Sequence, residues 1–239
     1  MKNKKEQGPI VIEAFPGIGQ VASLVGHYIT QFFGLKFMEP FAFDNMPPVT
    51  LVKGKKPFPS AAVYGGKLPG GLKIAVITSD IPHPKEAVGD IATSVLNWSK
   101  KAHASLLISP HGMVVDDREE QRGVSIYGAA STEDGLGRLE GAGIETFEEG
   151  IITGIPGLLL WKGSDMGVDT VVLLAEVRDT DYDAGAAALM VHAVDRLCLN
   201  YDMDCGPLCR AAMELGASRL KGMAFKQERA ESASGSMYL

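Results

Sequence analysis

One short motif in the sequence is typical of a phosphate-binding turn. It reads F-P-G-I-G-Q-V-A from Phe15 to Ala22 and fits the pattern G-x-G-x-x-A at the start of an amphipathic helix. In a dinucleotide-binding fold this turn brings backbone N–H groups to the pyrophosphate, and an acid about 20 residues later holds the ribose hydroxyls. Glu39 stands at that distance. The alternative is that the glycines only permit a tight strand-to-helix connection. The candidate ligand-binding turn consists of Pro16, Gly17, Ile18 and Gly19.

A second proline-glycine turn occurs later in the chain. It runs from Gly154 to Leu159 and also opens an apolar helical stretch. Two such turns in one sheet protein either line one shared edge or are two ordinary helix starts, since proline and glycine are both common there.

Polar residues follow two of the apolar segments. Asp80 and His83 come after Ile74–Ile77, and a larger group comes after Leu106–Ile108. That group comprises Ser109, His111, Asp116 and Asp117. If both segments are parallel strands, these side chains share the carboxyl edge of the sheet, where α/β proteins bind ligands.

Histidine and aspartate at such an edge are able to act as a base or to ligate a metal. However, the sequence contains no G-x-S-x-G elbow, no H-E-x-x-H pair and no P-loop. The nearby Pro82, Pro84 and Pro110 are typical of turns. The sequence therefore assigns no catalytic residue and no metal ligand here.

Two further groups of metal-ligand residue types are weaker candidates. Cys198, Cys205 and Cys209 are spaced C-x6-C-x3-C, which matches neither zinc pairs nor common iron–sulfur runs, so buried thiols are the favoured interpretation. The acidic stretch Glu176, Asp179, Asp181 and Asp183 is typical of a solvated loop that leads into a helix.

The elements that must position these residues are strands buried on both faces. Four short segments are apolar without alternation: Ile10–Ile12, Ile74–Ile77, Leu106–Ile108 and Val171–Ala175. Helical periodicity runs from Ile18 to Phe32 and from Ala187 to Cys198. Together they predict an α/β fold with three layers, α/β/α, around a mainly parallel central sheet. The proline- and glycine-rich stretch from Phe41 to Gly71 is interpreted as inserted strands and turns.

Composition narrows the class of protein. The 239 residues are 46% hydrophobic and carry a net charge of -6, with lysines clustered only at the start of the chain. This balance argues against nucleic acid as a partner. No window approaches the ~18 apolar residues of a membrane span, and the start does not read as a signal peptide. Three cysteines confined to one short region are typical of a reducing compartment. We expect a cytoplasmic protein without a membrane partner.

The chain is predicted to form one α/β domain over residues 8–227, followed by a flexible tail at 228–239. The tail is small and polar and has no apolar face to bury. It ends in Met237-Tyr238-Leu239, which combines an apolar side chain, an aromatic ring and a carboxylate at the end of a polar linker. A partner with a pocket and a cation is able to capture such an end.

Several of these segments, taken in order, resemble the archaeal members of the proteasome assembly chaperone family. The matching segments are Phe15–Gly19, Gly65–Gly70, Gly154–Leu159, Tyr182–Ala184 and Tyr201–Asp204, which span nearly the whole chain. The sequence departs from the family pattern at Ala22, where a further glycine is common.

The resemblance implies a phosphorylase/hydrolase-like α/β/α fold without established enzymatic activity in the chaperone members. We expect no cofactor. The resemblance also implies that Met237, Tyr238 and Leu239 form the hydrophobic-tyrosine-any motif, which enters pockets between neighbouring α-subunits of the core proteasome. Several tails on one assembly would bind better than one, so we expect a homo-oligomer. The alternative from a different class is a nucleotide-binding protein or hydrolase that uses the Gly17–Gly19 turn together with Asp80, His83 and His111.

Overall fold

The structure is a computed structural model that describes residues 8–114, 124–177 and 182–206. The chain divides into two compact units, Met1–Met203 and Asp204–Leu239. Only residues 204–206 of the second unit are described, and there the Gly206 N–H donates to the Asp204 carboxylate at 2.9 Å. The fold below is that of the first unit.

Several predicted features lie outside the described residues. They are the tail at 228–239 with Met237, Tyr238 and Leu239, and also Asp116, Asp117, Asp179, Asp181 and Cys209. The domain limits 8–227 extend outside them as well and stay a prediction.

An eight-stranded sheet forms the centre of the unit, in the order β2-β5-β6-β1-β7-β10-β8-β9. Its strands are β1 (Ile10–Ala14), β2 (Lys36–Pro40), β5 (Ala61–Lys67), β6 (Lys73–Ser79), β7 (Leu106–Val114), β8 (Ile126–Ala130), β9 (Glu145–Thr146) and β10 (Thr170–Val177). The remaining strands, β3 (Thr50–Lys53) and β4 (Lys56–Pro59), form a separate two-stranded antiparallel hairpin.

The four apolar segments of the sequence become the four central strands. β6, β1, β7 and β10 are neighbours, and each pairs with the next in parallel. Their side chains are buried on both faces, which explains why the hydrophobic pattern does not alternate. The mainly parallel central sheet is confirmed, while β5, β2 and β8 are added in antiparallel orientation.

Helices cover both faces of the sheet. They are α1 (Val21–Phe32), α2 (Val88–Lys101), α3 (Glu133–Gly141), α4 (Gly154–Met166) and α5 (Ala184–Val194). A π-helical turn over Asp195–Leu199 continues α5. α1 packs against α5, and α2 packs against α4. The α2 and α4 side chains share a core with Val11, Phe15 and Ile77 of one sheet face. On the opposite face, Gly26 of α1 lies against Ala14 and Val76. The three-layer arrangement is therefore confirmed.

Pro110 lies in a strand, whereas its sequence context predicts a turn. Pro110 does not mark a turn but lies inside β7, opposite Leu173 of β10. Pairing between β1 and β7 ends at Ile12 and Ile108, two residues earlier. Proline has no N–H to donate to a ladder. Glu13 of β1 and Ser109 of β7 consequently lie beside each other without continuing the β1–β7 ladder, while β7 itself runs on to Val114 beside β10.

The insertion from Phe41 to Gly71 contains the β3–β4 hairpin and β5, as predicted. Among the described residues, no helix is both long and apolar enough to cross a lipid bilayer.

Candidate functional site

A cavity of about 430 Å³ lies at the carboxyl edge of the central sheet. Residues that follow β1, residues at the end of β7 and the start of α4 line it. We call it the edge cavity. Its apolar lining includes Ile18, Val114, Ile151, Ile152, Ile155 and Leu174.

The edge cavity brings together residues that the sequence singled out separately. Pro16, Gly17 and Ile18 of the first turn face it, as do Gly154 and Pro156 of the second. The two proline-glycine turns therefore line one shared edge, which was the less ordinary of the two interpretations. Gly19 of the first turn is not part of the lining. It is buried, has a positive φ of 63°, and its carbonyl accepts a hydrogen bond from the Asp183 N–H at 2.8 Å.

His83 and His111 also line the edge cavity. His83 follows β6, as expected, but His111 lies inside β7, which runs on to Val114 instead of ending at Ile108. They are the titratable side chains among its described lining residues. The Nδ1 atom of His83 is buried and has no hydrogen-bond partner in the described part of the chain.

A buried polar network lies behind His111, on the side away from the edge cavity. Its centre is Glu13 of β1, which is completely buried, and its oxygens accept three hydrogen bonds. Ser109 Oγ donates to Oε2 at 2.6 Å, His111 Nε2 lies 2.8 Å from the same oxygen, and the Phe15 N–H donates to Oε1 at 2.8 Å. The pairing between β1 and β7 ends at Ile12 and Ile108. Glu13 and Ser109 are the next residue of each strand and therefore lie beside each other.

The network keeps Glu13 ionised. Burial by itself raises the pKa of this carboxyl, but the charge of His111 and hydrogen bonds from His111, Ser109 and Phe15 outweigh it and leave the pKa below its ordinary value. An ionised carboxylate only accepts hydrogen bonds, so His111 must donate through Nε2. The ring nitrogen that remains for the edge cavity is Nδ1.

The pKa of His83 moves in the direction expected of a half-buried imidazole. Burial lowers it, the negative charge of Glu13 raises it, and the positive charge of His111 lowers it again; the result lies below the ordinary value. His83 is therefore neutral at neutral pH.

A side chain at position 17 is disfavoured by the lack of room for a Cβ atom and not by the backbone angles. The φ of -150° and ψ of -162° of Gly17 are extended, a conformation open to any residue. A Cβ at this position would lie 2.9 Å from Nδ1 of His111, closer than atoms pack. Glycine thus leaves room in front of the imidazole, at the wall of the edge cavity.

The dinucleotide interpretation is wrong in its topology. Glu39 lies in β2, which β5 and β6 separate from β1, whereas a ribose-binding acid needs a strand beside β1. Glu39 instead accepts a hydrogen bond from Trp98 Nε1 at 2.7 Å.

Asp80 also lies apart from the edge cavity. Its carboxylate pairs with Lys53 at 2.6 Å and lines a second cavity of about 400 Å³. The proposed grouping of Asp80 with His83 and His111 is therefore not formed.

The remaining metal-ligand types do not assemble in the described ranges. Within residues 8–114, 124–177 and 182–206, no group of three His, Cys, Asp or Glu side chains is placed to hold a metal ion. Cys198 donates its thiol to the Val194 carbonyl at 3.3 Å, and burial strongly raises the pKa of that thiol. This supports the interpretation of Cys198 as a packed, unreactive thiol.

Sequence reasoning missed Glu13 as a functional candidate. The signal was present, because an acidic residue stands inside the apolar strand I-V-I-E-A. A charge in a strand that is buried on both faces needs partners, and here they are Ser109 and His111 inside β7. Together they form an oriented imidazole beside an apolar cavity, which is suited to binding a polar group of a small ligand.

The α/β/α layers with this edge cavity place the chain among three-layer, mainly parallel α/β proteins. The family model described as PAC2 family matches residues 11–223. The chain belongs to the PAC2 family. A Methanocaldococcus jannaschii relative, an uncharacterized protein, is 28% identical over 191 residues, which cover 80% of this chain and 76% of the relative.

Two solved structures extend the comparison. PbaA of Pyrococcus furiosus, an archaeal homolog of proteasome-assembly chaperone, is 28% identical with a TM-score of 0.78, over 94% of this chain and 96% of that one. PbaB of the same organism, an archaeal proteasome activator, is 24% identical with a TM-score of 0.75, over 93% and 96% of the two chains. The likeness to PbaB shows the shared fold alone.

Proposed function

We propose that this protein binds the core proteasome as an assembly chaperone or activator homologue. The observation that carries the proposal is membership of the PAC2 family together with the likeness to PbaA over almost the whole of both chains. The α-subunits of the core particle are the proposed partner. The described residues offer no competing metal centre, and the Glu39 position does not support a dinucleotide site.

The proposed contact is the tail that ends in Met237-Tyr238-Leu239. Tyr238 supplies a ring with a polar tip, and Met237 adds apolar contact. Where Leu239 carries the free carboxylate, a lysine in the partner pocket is able to form a charge-assisted pair with it. The polar residues from Glu228 to Ser236 have no apolar face and give the motif reach.

A pull-down of core proteasome or isolated α-subunits tests this contact. The full chain should retain the particle, and a chain that lacks Met237–Leu239 or carries Tyr238→Ala should not. Charge-assisted hydrogen bonds contribute about 1.5 to 3 kcal/mol each, so a loss of at least tenfold per site is expected on deletion.

A composition-matched control exchanges the first two motif residues, Met237→Tyr with Tyr238→Met. It keeps the same atoms and the same terminal carboxylate but moves the ring away from that carboxylate. It should bind more weakly than the full chain and more tightly than the deletion. Equal binding by the full and truncated chains would contradict the tail mechanism. Binding by neither would contradict the proposed proteasome partner itself.

We also propose that the protein self-associates through the edge formed by β2. All five residues of β2 are exposed, including Phe37 at 43% and Met38 at 55%. Phe37 packs against Phe58 in a tilted geometry and against Tyr64 edge to face, with ring centroids 5.2 and 6.1 Å apart. An apolar group of this kind at a sheet edge is typical of a contact surface.

A further inference from the structure

We infer that the edge cavity is a binding site for a small molecule with an anionic head, a carboxylate or a phosphate, on an apolar body. The proposal is independent of the tail contact, because every residue that it uses lies between residues 13 and 174. It concerns binding and includes no chemical step.

The first support is the His111 imidazole. The residue is only 7% exposed, and Nε2 is committed to Glu13 at 2.8 Å. Nδ1 has no hydrogen-bond partner among the described residues and lies against the open side of Gly17, on the wall of the edge cavity. The side chain is thus nine-tenths buried, and this ring nitrogen is left for a ligand or water at the edge cavity.

The second support is the start of α4. Thr153 is the N-cap residue of this 13-residue helix, and its side chain makes no capping hydrogen bond. The first N–H groups of a helix have no partner within it, and Pro156 contributes none. The Gly154 and Ile155 N–H groups therefore remain, at the positive end of the helix, and both residues line the edge cavity.

The charge of the lining agrees with an anion. The described lining contains no aspartate, glutamate, lysine or arginine side chain. Glu13 stands behind His111 and accepts a hydrogen bond from its Nε2. In the doubly protonated ring both nitrogens donate, and Nδ1–H is then a donor for an anionic ligand. The unpartnered Nδ1 of His83 is a further polar atom at the same cavity. Ile18, Ile151 and Leu174 give the ligand's body an apolar surface.

The size of the edge cavity fits a small ligand. Its volume of about 430 Å³ lies in the range of 300 to 1,000 Å³ that is usual for small-molecule pockets. A ring with one carboxylate or one phosphate group fits within such a space.

Ring-nitrogen NMR of the full chain, labelled with ¹⁵N-histidine, tests the inference. The chain has five histidines, so His27, His103 and His192 report on non-specific effects beside His83 and His111. The probes are sodium benzoate, phenyl phosphate and the neutral benzamide. Benzoate or phenyl phosphate should shift the His111 and His83 signals saturably, with a Kd of about 1 mM or tighter, and benzamide should bind at least tenfold more weakly. The tighter of the two anions identifies a carboxylate or a phosphate as the preferred head group.

Gly17→Ala is the matched blocking variant, because the added methyl points at Nδ1 while the backbone accepts alanine. It should weaken benzoate and phenyl phosphate binding at least tenfold. Gly137→Ala adds the same methyl into open space on α3 and should leave binding unchanged. If Gly17→Ala does not fold, Ile18→Trp narrows the mouth from a residue that is 41% exposed and should have the same effect. Equal binding of benzamide and benzoate, or no saturable shift with either anion, would overturn the inference.

Discussion

At the scale of single residues, Glu13 is the group on which the edge cavity depends. It is a charge in the most buried part of the sheet, and its three hydrogen bonds make that burial tolerable. The same bonds fix the orientation of His111. The orientation of the imidazole ring therefore follows from one carboxylate on the neighbouring strand.

Replacing Glu13 by Gln tests this role. The amide keeps the shape but loses the charge, and its NH2 group then faces donors from Ser109, His111 or Phe15. We expect the free energy of unfolding to fall by about 2 to 4 kcal/mol, measured by urea denaturation. Glu140→Gln removes the same charge from an exposed position of α3 and should change it by less than about 0.5 kcal/mol. A loss no larger at Glu13 than at Glu140 would show that the network contributes nothing to stability.

The difference in the free energy of unfolding between the wild type and Glu13→Gln depends on pH in a direction that the pKa of Glu13 determines. The folded-state pKa of Glu13 lies below its ordinary value of about 4.3, so ionisation of the carboxyl stabilises the folded chain above that pH. The stability is lost as the pH falls through the folded-state pKa. The gap between the wild type and Glu13→Gln should therefore be largest above about pH 5 and shrink in acid. A gap that widens toward low pH would contradict an ionised Glu13.

At the scale of elements, the sequence determines the centre of the sheet more clearly than its edges. Ile74–Ile77 and Val171–Ala175 are predictable because strands buried on both faces are apolar at every position. β8, at Ile126–Ala130, has no such run, since it is partly exposed and contains Gly128 and two alanines. Its antiparallel pairing with β10 is set by tertiary contacts that no local pattern shows.

The edge cavity was predictable only in pieces. The order of apolar and polar residues predicts both His83 and His111 at strand ends, which is wrong for His111 because β7 continues past it to Val114. The two proline-glycine turns are visible as motifs. The strand order decides which of these pieces meet. It brings Gly154 to Gly17, and it keeps Asp80 and Glu39 away from both. Spacing along the chain carries no information on that order.

The start of α3 offers a test of an element boundary. Thr132 is its N-cap: the side chain accepts a hydrogen bond from the Gly135 N–H at 3.0 Å and donates one to Asp169. Thr132→Ala removes both bonds and should lower the free energy of unfolding by about 1 to 2 kcal/mol in thermal or urea denaturation. Thr132→Ser retains the hydroxyl and should lose less than half of that amount. If Thr132→Ser lowers the free energy of unfolding as much as Thr132→Ala does, then packing of the threonine methyl group stabilises this helix start, and the capping hydrogen bond does not.

At the scale of the whole molecule, the proposed function requires more than one copy of the tail. A single tail buries an aromatic ring, one apolar side chain and a carboxylate, and such a contact has modest affinity. A ring of α-subunits repeats its pockets. Tails linked through one assembly convert later binding events into intramolecular ones and are able to raise avidity by ~10² to 10⁴.

The β2 edge is where we expect the copies to meet, through side chains and not through an extended sheet. The pairing of β2 with β5 shifts register between Phe37 and Glu39, and the strand ends at Pro40. Bulges and prolines of this kind disfavour further strand pairing. Phe37 and Met38 remain exposed and apolar, and packing them against a second copy removes that surface from water.

Sedimentation at micromolar concentration tests the assembly. The wild type should sediment as an oligomer, and Phe37→Glu with Met38→Glu should shift it toward the monomer, because a buried unpaired carboxylate is costly. Trp161→Glu is the control, since this residue is also exposed, at 69%, but belongs to α4, which packs against α2, β7 and β10. The monomeric double variant keeps its tail, so its binding to the proteasome should weaken by ~10² or more through lost avidity alone. A strictly monomeric wild type that still binds the particle tightly would contradict the need for repeated tails, and dissociation by Trp161→Glu instead would place the interface on α4.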